Sequence, residues 1–181
     1  EDEQHIKKYF KDNLPPNAFS QTGFYEQMYL YQSYCWFAFI RQDFLMYYRY
    51  TQKWINLFRA QPLMMEVETA HYIKGMHNLL NAHFDLRNYR KLALTLKEFE
   101  KFSVTDIATQ HDNNRIQTFV YINSAKLNLQ LIMGNFKEGL VLIPAIEENL
   151  DEFSLYLDRH RVLVFNYKIA TLHFGAGNFE T

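Results

Sequence analysis

One cysteine in 181 residues rules out an internal disulfide framework and a cysteine-rich zinc site. Cys35 sits among large apolar neighbours, where a small buried hydrophobe is the expected role. Proline and glycine are scarce, at 4 and 6, while 48% of residues are apolar and 22% charged. That balance argues against disorder and for a helix-rich globular chain. Basic runs are missing too: the longest is Arg159-His160-Arg161, read as a solvated helix face, and the formal net charge is -1. A nucleic-acid partner needs a dense cationic face to displace counterions, so none is expected. The most apolar stretch, Tyr34 to Ile40, is short and flanked by Gln32, Arg41 and Asp43, so no membrane partner is expected either.

What the chain has in excess is aromatic side chains, with 16 Phe and 13 Tyr. Most fall on periodic positions, which assigns them to the gaps between long helices. Four segments resemble one another: Arg41-Gln42-Asp43-Phe44, Leu86-Arg87-Asn88-Tyr89, Met133-Gly134-Asn135-Phe136 and Ala176-Gly177-Asn178-Phe179. Their aromatics are 45, 47 and 43 positions apart, and self-similarity at a near-fixed period marks a stacked repeat. Glycine past a helix end takes the left-handed conformation that closes the last carbonyls. The Asp or Asn that follows caps the next helix. The aromatic then enters that helix and is expected to pack back onto the helix before it. Each segment therefore reads as a tight turn within a hairpin of antiparallel helices.

The flanking residues carry a helical period. Phe44, Tyr47, Thr51, Trp54 and Phe58 form one stripe, and Tyr89, Leu92, Leu96 and Phe99 a second. Ile122, Ala125, Leu129, Ile132 and Phe136 form a third; Val162, Phe165, Ile169, Leu172 and Ala176 form a fourth. No stretch is dominated by the two-residue alternation of a strand, so the fold class is all-α. First helices are expected at 19–41, 63–86, 113–133 and 154–175. Second helices are expected at 43–60, 88–102 and 135–150, with a short leading helix at 3–13. Leu14-Pro15-Pro16-Asn17 and Gln61-Pro62 are breakers between elements, and Pro144 predicts a kink or split. The whole chain is expected to be one helical-repeat domain, with hairpins at 19–60, 63–102, 113–150 and a truncated 154–181. Because it stops as a fourth second helix should begin, it is expected to be a fragment of a longer array. The stripe on helix 154–175 would then lack a partner, and self-association or the N-terminal helix is expected to cover it.

The run Tyr167 to Glu180 and the run Leu131 to Leu140 resemble the tetratricopeptide repeat family. The first has a small residue mid-helix among large apolar ones, then Gly, Asn and an aromatic; the second is similar to the end of a first helix and the start of a second, with Gly134, Asn135 and Phe136 at the turn. The departures are Gln42 and Arg87 in place of Gly, Gly139 in place of Ala, no closing Pro, and a period about ten residues longer than that family's. Other helical-hairpin arrays share the remaining features. The resemblance implies an α-solenoid of stacked antiparallel hairpins, whose first helices line a groove that holds a peptide or a partner helix. Carried over by position, the groove candidates are Lys74, His77 and Asn81, then Tyr121, Ser124 and Asn128, then Lys168 and Thr171.

Catalytic constellations are missing. His71, His77 and His83 are six apart and cannot share one helix face as metal ligands do, so they read as surface or boundary residues. Asp112 reads as a cap. Ser20, Ser33, Ser103, Ser124 and Ser154 lack the context of an activated nucleophile. Glu98, Glu100, Glu147, Glu148, Asp151 and Glu152 lie on what should be solvated faces, where general acid–base chemistry is not set up. No phosphate loop, nucleophile elbow or metal-ligand spacing occurs, so no cofactor, metal or enzymatic activity is expected. The expected function is binding or scaffolding of a protein or peptide. The alternatives are a structural segment that self-associates through its C-terminal end, or a regulatory helical domain of a larger protein.

Overall fold

The computed structural model describes residues 2–14, 23–153 and 155–179, and among them there is helix and no strand. Pro15, Pro16, Asn17, Ser20, Ser154 and Glu180, with the expected helix start at 19, lie outside the described residues. The chain forms two compact units, Glu1–Leu86 and Arg87–Thr181. No helix of the described residues is long and apolar enough to cross a membrane.

The first unit holds α1 (Asp2–Asn13), α2 (Phe24–Ile40), α3 (Phe44–Ala60), α4 (Met64–Val67) and α5 (Thr69–Asp85). The expected helix 63–86 is thus two helices. Glu68 leaves the helical region at φ -120, ψ 44, and a full-length helix starts only after it. α3 packs on α2 and α5, with Ile55, Phe58, Ile73 and Met76 fully buried. Phe58 is met edge-on by Phe24 and Tyr72, at ring distances of 5.1 and 5.4 Å. Four of the five residues of the first stripe, Tyr47 to Phe58, are buried, whereas Phe44 is half exposed. The ring of Phe10 on α1 lies 4.7 Å from that of Phe37 on α2. His83 is buried, which corrects its reading as a surface or boundary residue.

The second unit holds α6 (Tyr89–Ser103), α7 (Asp106–Thr109), α8 (Asp112–Met133), α9 (Phe136–Leu140), α10 (Ile143–Glu152) and α11 (Arg159–Ala176). α7 was not expected; Thr105 caps it by accepting from the Ala108 amide. His111, not Asp112, occupies the cap position of α8, and Asp112 instead pairs with Arg115 at 3.4 Å. The split expected at Pro144 is present. Its missing N–H falls in the first turn of α10, where no intrahelical bond is lost. α8 packs on α6, α7 and α9, and α11 packs on α9 and α8. α11 begins at Arg159, five residues later than expected, because Asp158 caps it by accepting from the Arg161 amide at 2.8 Å. Phe165, Ile169 and Leu172 are buried, so the stripe expected to lack a partner has one within its own unit.

The four turn segments share a backbone conformation. Gln42, Arg87, Gly134 and Gly177 all have positive φ, at 53, 52, 70 and 82. In three of them the next residue's amide reaches back five positions: Asp43 to Ala38, Asn135 to Gln130 and Asn178 to His173, at 2.9, 3.0 and 2.9 Å. This six-residue closure satisfies carbonyls that the helix end would otherwise strand. Asp43 and Asn88 also cap the following helices, accepting from the amides of Met46 and Lys91. The signature aromatics differ in what they touch. Phe136 packs against Gly175 of α11, Phe179 meets Phe174 of the helix before it, and Tyr89 is exposed.

Candidate functional site

Two of the polar side chains nominated in the second unit, Ser124 and Lys168, meet where α11 packs on α8. Asp158 fixes the start of α11 and holds the Arg161 guanidinium with Nε 3.3 Å from its carboxylate. Two turns on, seven residues being close to two full turns, Lys168 emerges on the same side of the helix. Lys168 is largely covered, and its Nζ donates to the Ser124 hydroxyl and, at 3.5 Å, to the Ser124 carbonyl. Among the described residues no carboxylate lies within ion-pairing distance of that ammonium. Burial pushes the amine down to about 8. The phenol of Tyr121 is buried, and burial raises its pKa while the Arg161 guanidinium, 5.9 Å from the ring centre, pulls it back.

The sequence-nominated residues therefore separate into groups. Lys168 and Ser124 are in direct contact, while Tyr121, one turn earlier on α8, lies beneath the Arg161 guanidinium. Tyr121 and Asn128 are buried rather than open groove walls, which corrects their expected place. Thr171 donates to the Tyr167 carbonyl at 2.7 Å and so satisfies its own helix. Lys74, His77 and Asn81 belong to α5 of the first unit, where Lys74 is exposed and the His77 ring lies 3.1 Å from the Asn81 amide. Arg161 was missed. Its seven-residue spacing from Lys168 was visible, but its run with Arg159 and His160 suggested solvated charge.

Two further clusters were not signalled by any motif. α6 and α8 enclose a concavity of about 390 Å³, floored by Phe119 and Ile122, with the Lys126–Glu100 ion pair of 2.9 Å on its wall. Glu100 is paired there with Lys126 while its side chain stays 38% exposed. In the first unit, Glu68 accepts from the Tyr25 hydroxyl and lies 2.8 Å from Nδ1 of His71. No group of three or more metal-ligating side chains is gathered among the described residues.

Chemically, the Lys168 cluster is a donor set. An ammonium with hydroxyl partners and no balancing carboxylate offers charge-assisted hydrogen bonds to an anionic oxygen, the kind about twice as strong as neutral ones. Comparison with protein-family models, curated proteins and solved structures finds no match.

Proposed function

We propose that the chain is a protein-interaction module of stacked helical hairpins, and that the crossing of α8 and α11 receives an acidic segment of its partner. The observation that carries this reading is Lys168, a covered ammonium whose partners among the described residues are the Ser124 hydroxyl and carbonyl and not a carboxylate. Covering a cation without a counter-charge is unfavourable, and such a site is rarely retained for stability. An incoming carboxylate would supply the missing charge, with Arg161 one heptad away to extend the contact. The stacked-hairpin reading is supported by the four left-handed turns and by packing in chain order, α2 on α3, α3 on α5, α8 on α9 and α9 on α11.

The test is binding of fluorescent acidic peptides, read by anisotropy, to the chain and to its Lys168→Met and Arg161→Gln variants. The proposal expects Lys168→Met to weaken binding by about tenfold, with binding falling as salt rises. Unchanged affinity in a variant with unchanged helix content would remove the α8–α11 crossing as the site. Replacing Lys74 and Asn81 together asks the same of α5.

A further inference from the structure

In the first unit α2 and α3 bring three tyrosines and a lysine together. Tyr31 and Tyr34 stand three apart on α2, and Tyr50 and Lys53 three apart on α3, so each pair shares one side of its helix. The rings of Tyr34 and Tyr50 are stacked, 4.3 Å apart and 8° from parallel. Tyr31 leans towards Tyr50 at 43°, with 6.3 Å between ring centres, and its hydroxyl donates to Gln27 at 3.4 Å. The Lys53 ammonium lies over both, 5.2 Å from the centre of Tyr50 and 5.8 Å from that of Tyr31. Two ring faces thus open as a V around one cation. A ring face carries partial negative charge and attracts a cation within about 6 Å.

Lys53 is a poor occupant of that V. Burial and the like charge of Arg49 both push its amine below the ordinary value. The ionisable groups that bear on Tyr50 are Tyr34, Arg49, Tyr31 and Cys35, whose thiol reaches the Thr51 hydroxyl at 3.8 Å. No carboxylate is among them to balance a cation. A primary ammonium is also strongly hydrated and gives up that water to lie on rings. Nor does the stacking of hairpins ask for these tyrosines. At the same offsets from the second signature aromatic stand Met76, Leu79, Thr95 and Glu98, and from the third Asn123, Lys126, Leu142 and Ala145. None is aromatic.

We propose that the V between Tyr31 and Tyr50 is a binding site for a methylated ammonium, and that Lys53 is its displaceable occupant. The geometry selects that chemistry. The cation stands nearly equidistant from two tilted rings, which suits a round group, whereas a flat guanidinium stacks on a single face. Methyl groups spread the charge over a surface that needs no hydrogen-bond partner, so such a cation loses less on leaving water than a primary ammonium does. A free small cation of the choline type and a methylated lysine of a protein present the same group to the rings. The site lies in the first unit and uses neither Lys168 nor Arg161, so it stands apart from the acidic-segment reading.

Titration of the chain with choline, read by NMR of the N-methyl protons, tests the site, since protons held over a ring face shift upfield. Lys53→Met keeps the side chain's reach and removes the competing charge. If Lys53 holds the V about nine-tenths of the time, this change strengthens choline binding about tenfold. Tyr50→Leu should weaken it by about tenfold or more at unchanged helix content. The uncharged isostere of choline, with a tert-butyl group in place of the trimethylammonium, should bind about tenfold more weakly than choline. Equal binding of the isostere overturns the proposal, because the rings then offer only apolar surface. So does a Lys53→Met chain that binds choline no better than the parent, or shows no N-methyl shift at ~20 mM. A peptide carrying trimethyllysine, set against its unmethylated form, separates the two sources. Tighter binding than choline assigns the site to a modified protein, weaker binding assigns it to a small cation, and a peptide affinity indifferent to methylation overturns the proposal.

Discussion

The ring of Phe136 lies against the backbone of Gly175, where an added Cβ would stand 2.4 Å from ring atom Cδ1. This contact joins the third turn's aromatic to the helix that precedes the fourth turn, so the repeat is held across hairpins as well as within them. A second close approach lies beside it, where a Cβ at Gly139 would meet Leu172 Cδ2 at 2.7 Å. That explains glycine at a position where the resembled family has alanine.

Gly175→Ala should destabilise the chain by about 1–3 kcal/mol, although alanine is the better helix former. The obstacle is a rigid ring. Gly139→Ala should lose less, because the atoms in its way include the movable end of Leu172. Urea unfolding measures both, and a Gly175→Ala, Phe136→Ala pair should show strong coupling.

Gln42 and Arg87 hold the left-handed conformation with a side chain attached. Replacing either with Gly should raise stability by about 0.5–1 kcal/mol, the relief of left-handed strain less glycine's extra freedom when unfolded. Gly134→Ala should shift the melting temperature the other way.

Lys168 titrates at about 8 in the folded chain and near its ordinary value when unfolded. Below pH 8 both states are protonated, and the folded state bears the full burden of a covered charge. Between about pH 8 and 10 the folded state releases its proton first, so this group's contribution to stability rises with pH. Lys168→Met should therefore stabilise the chain by up to about 2–3 kcal/mol at pH 7, an advantage that shrinks towards pH 10. Denaturation of both forms across that range gives the comparison.

The Cys35 thiol is buried, and burial pushes it up to about 12, far from the thiolate form that reacts. A thiol reagent at pH 8 should label the native chain only as fast as it opens, and Thr51→Val should not make it reactive.

The amino-acid sequence by itself determined the long helices in outline, the positions of the four turns and the interruption at Pro144, but not the break at Glu68 or the short α7. These depend on local chemistry: apolar side chains at helical spacing, a left-handed residue, a capping Asp or Asn, and a proline without an N–H. Gln42 and Arg87 show how strongly the local pattern acts, since both adopt the turn without glycine. Other matters waited on tertiary structure. Nothing local says that Phe136 would pack forward onto Gly175, that Tyr121 and Asn128 would be buried, or that Lys168 would lie covered beside Ser124. Each depends on which face of one helix meets which face of another, a relation between residues some forty positions apart.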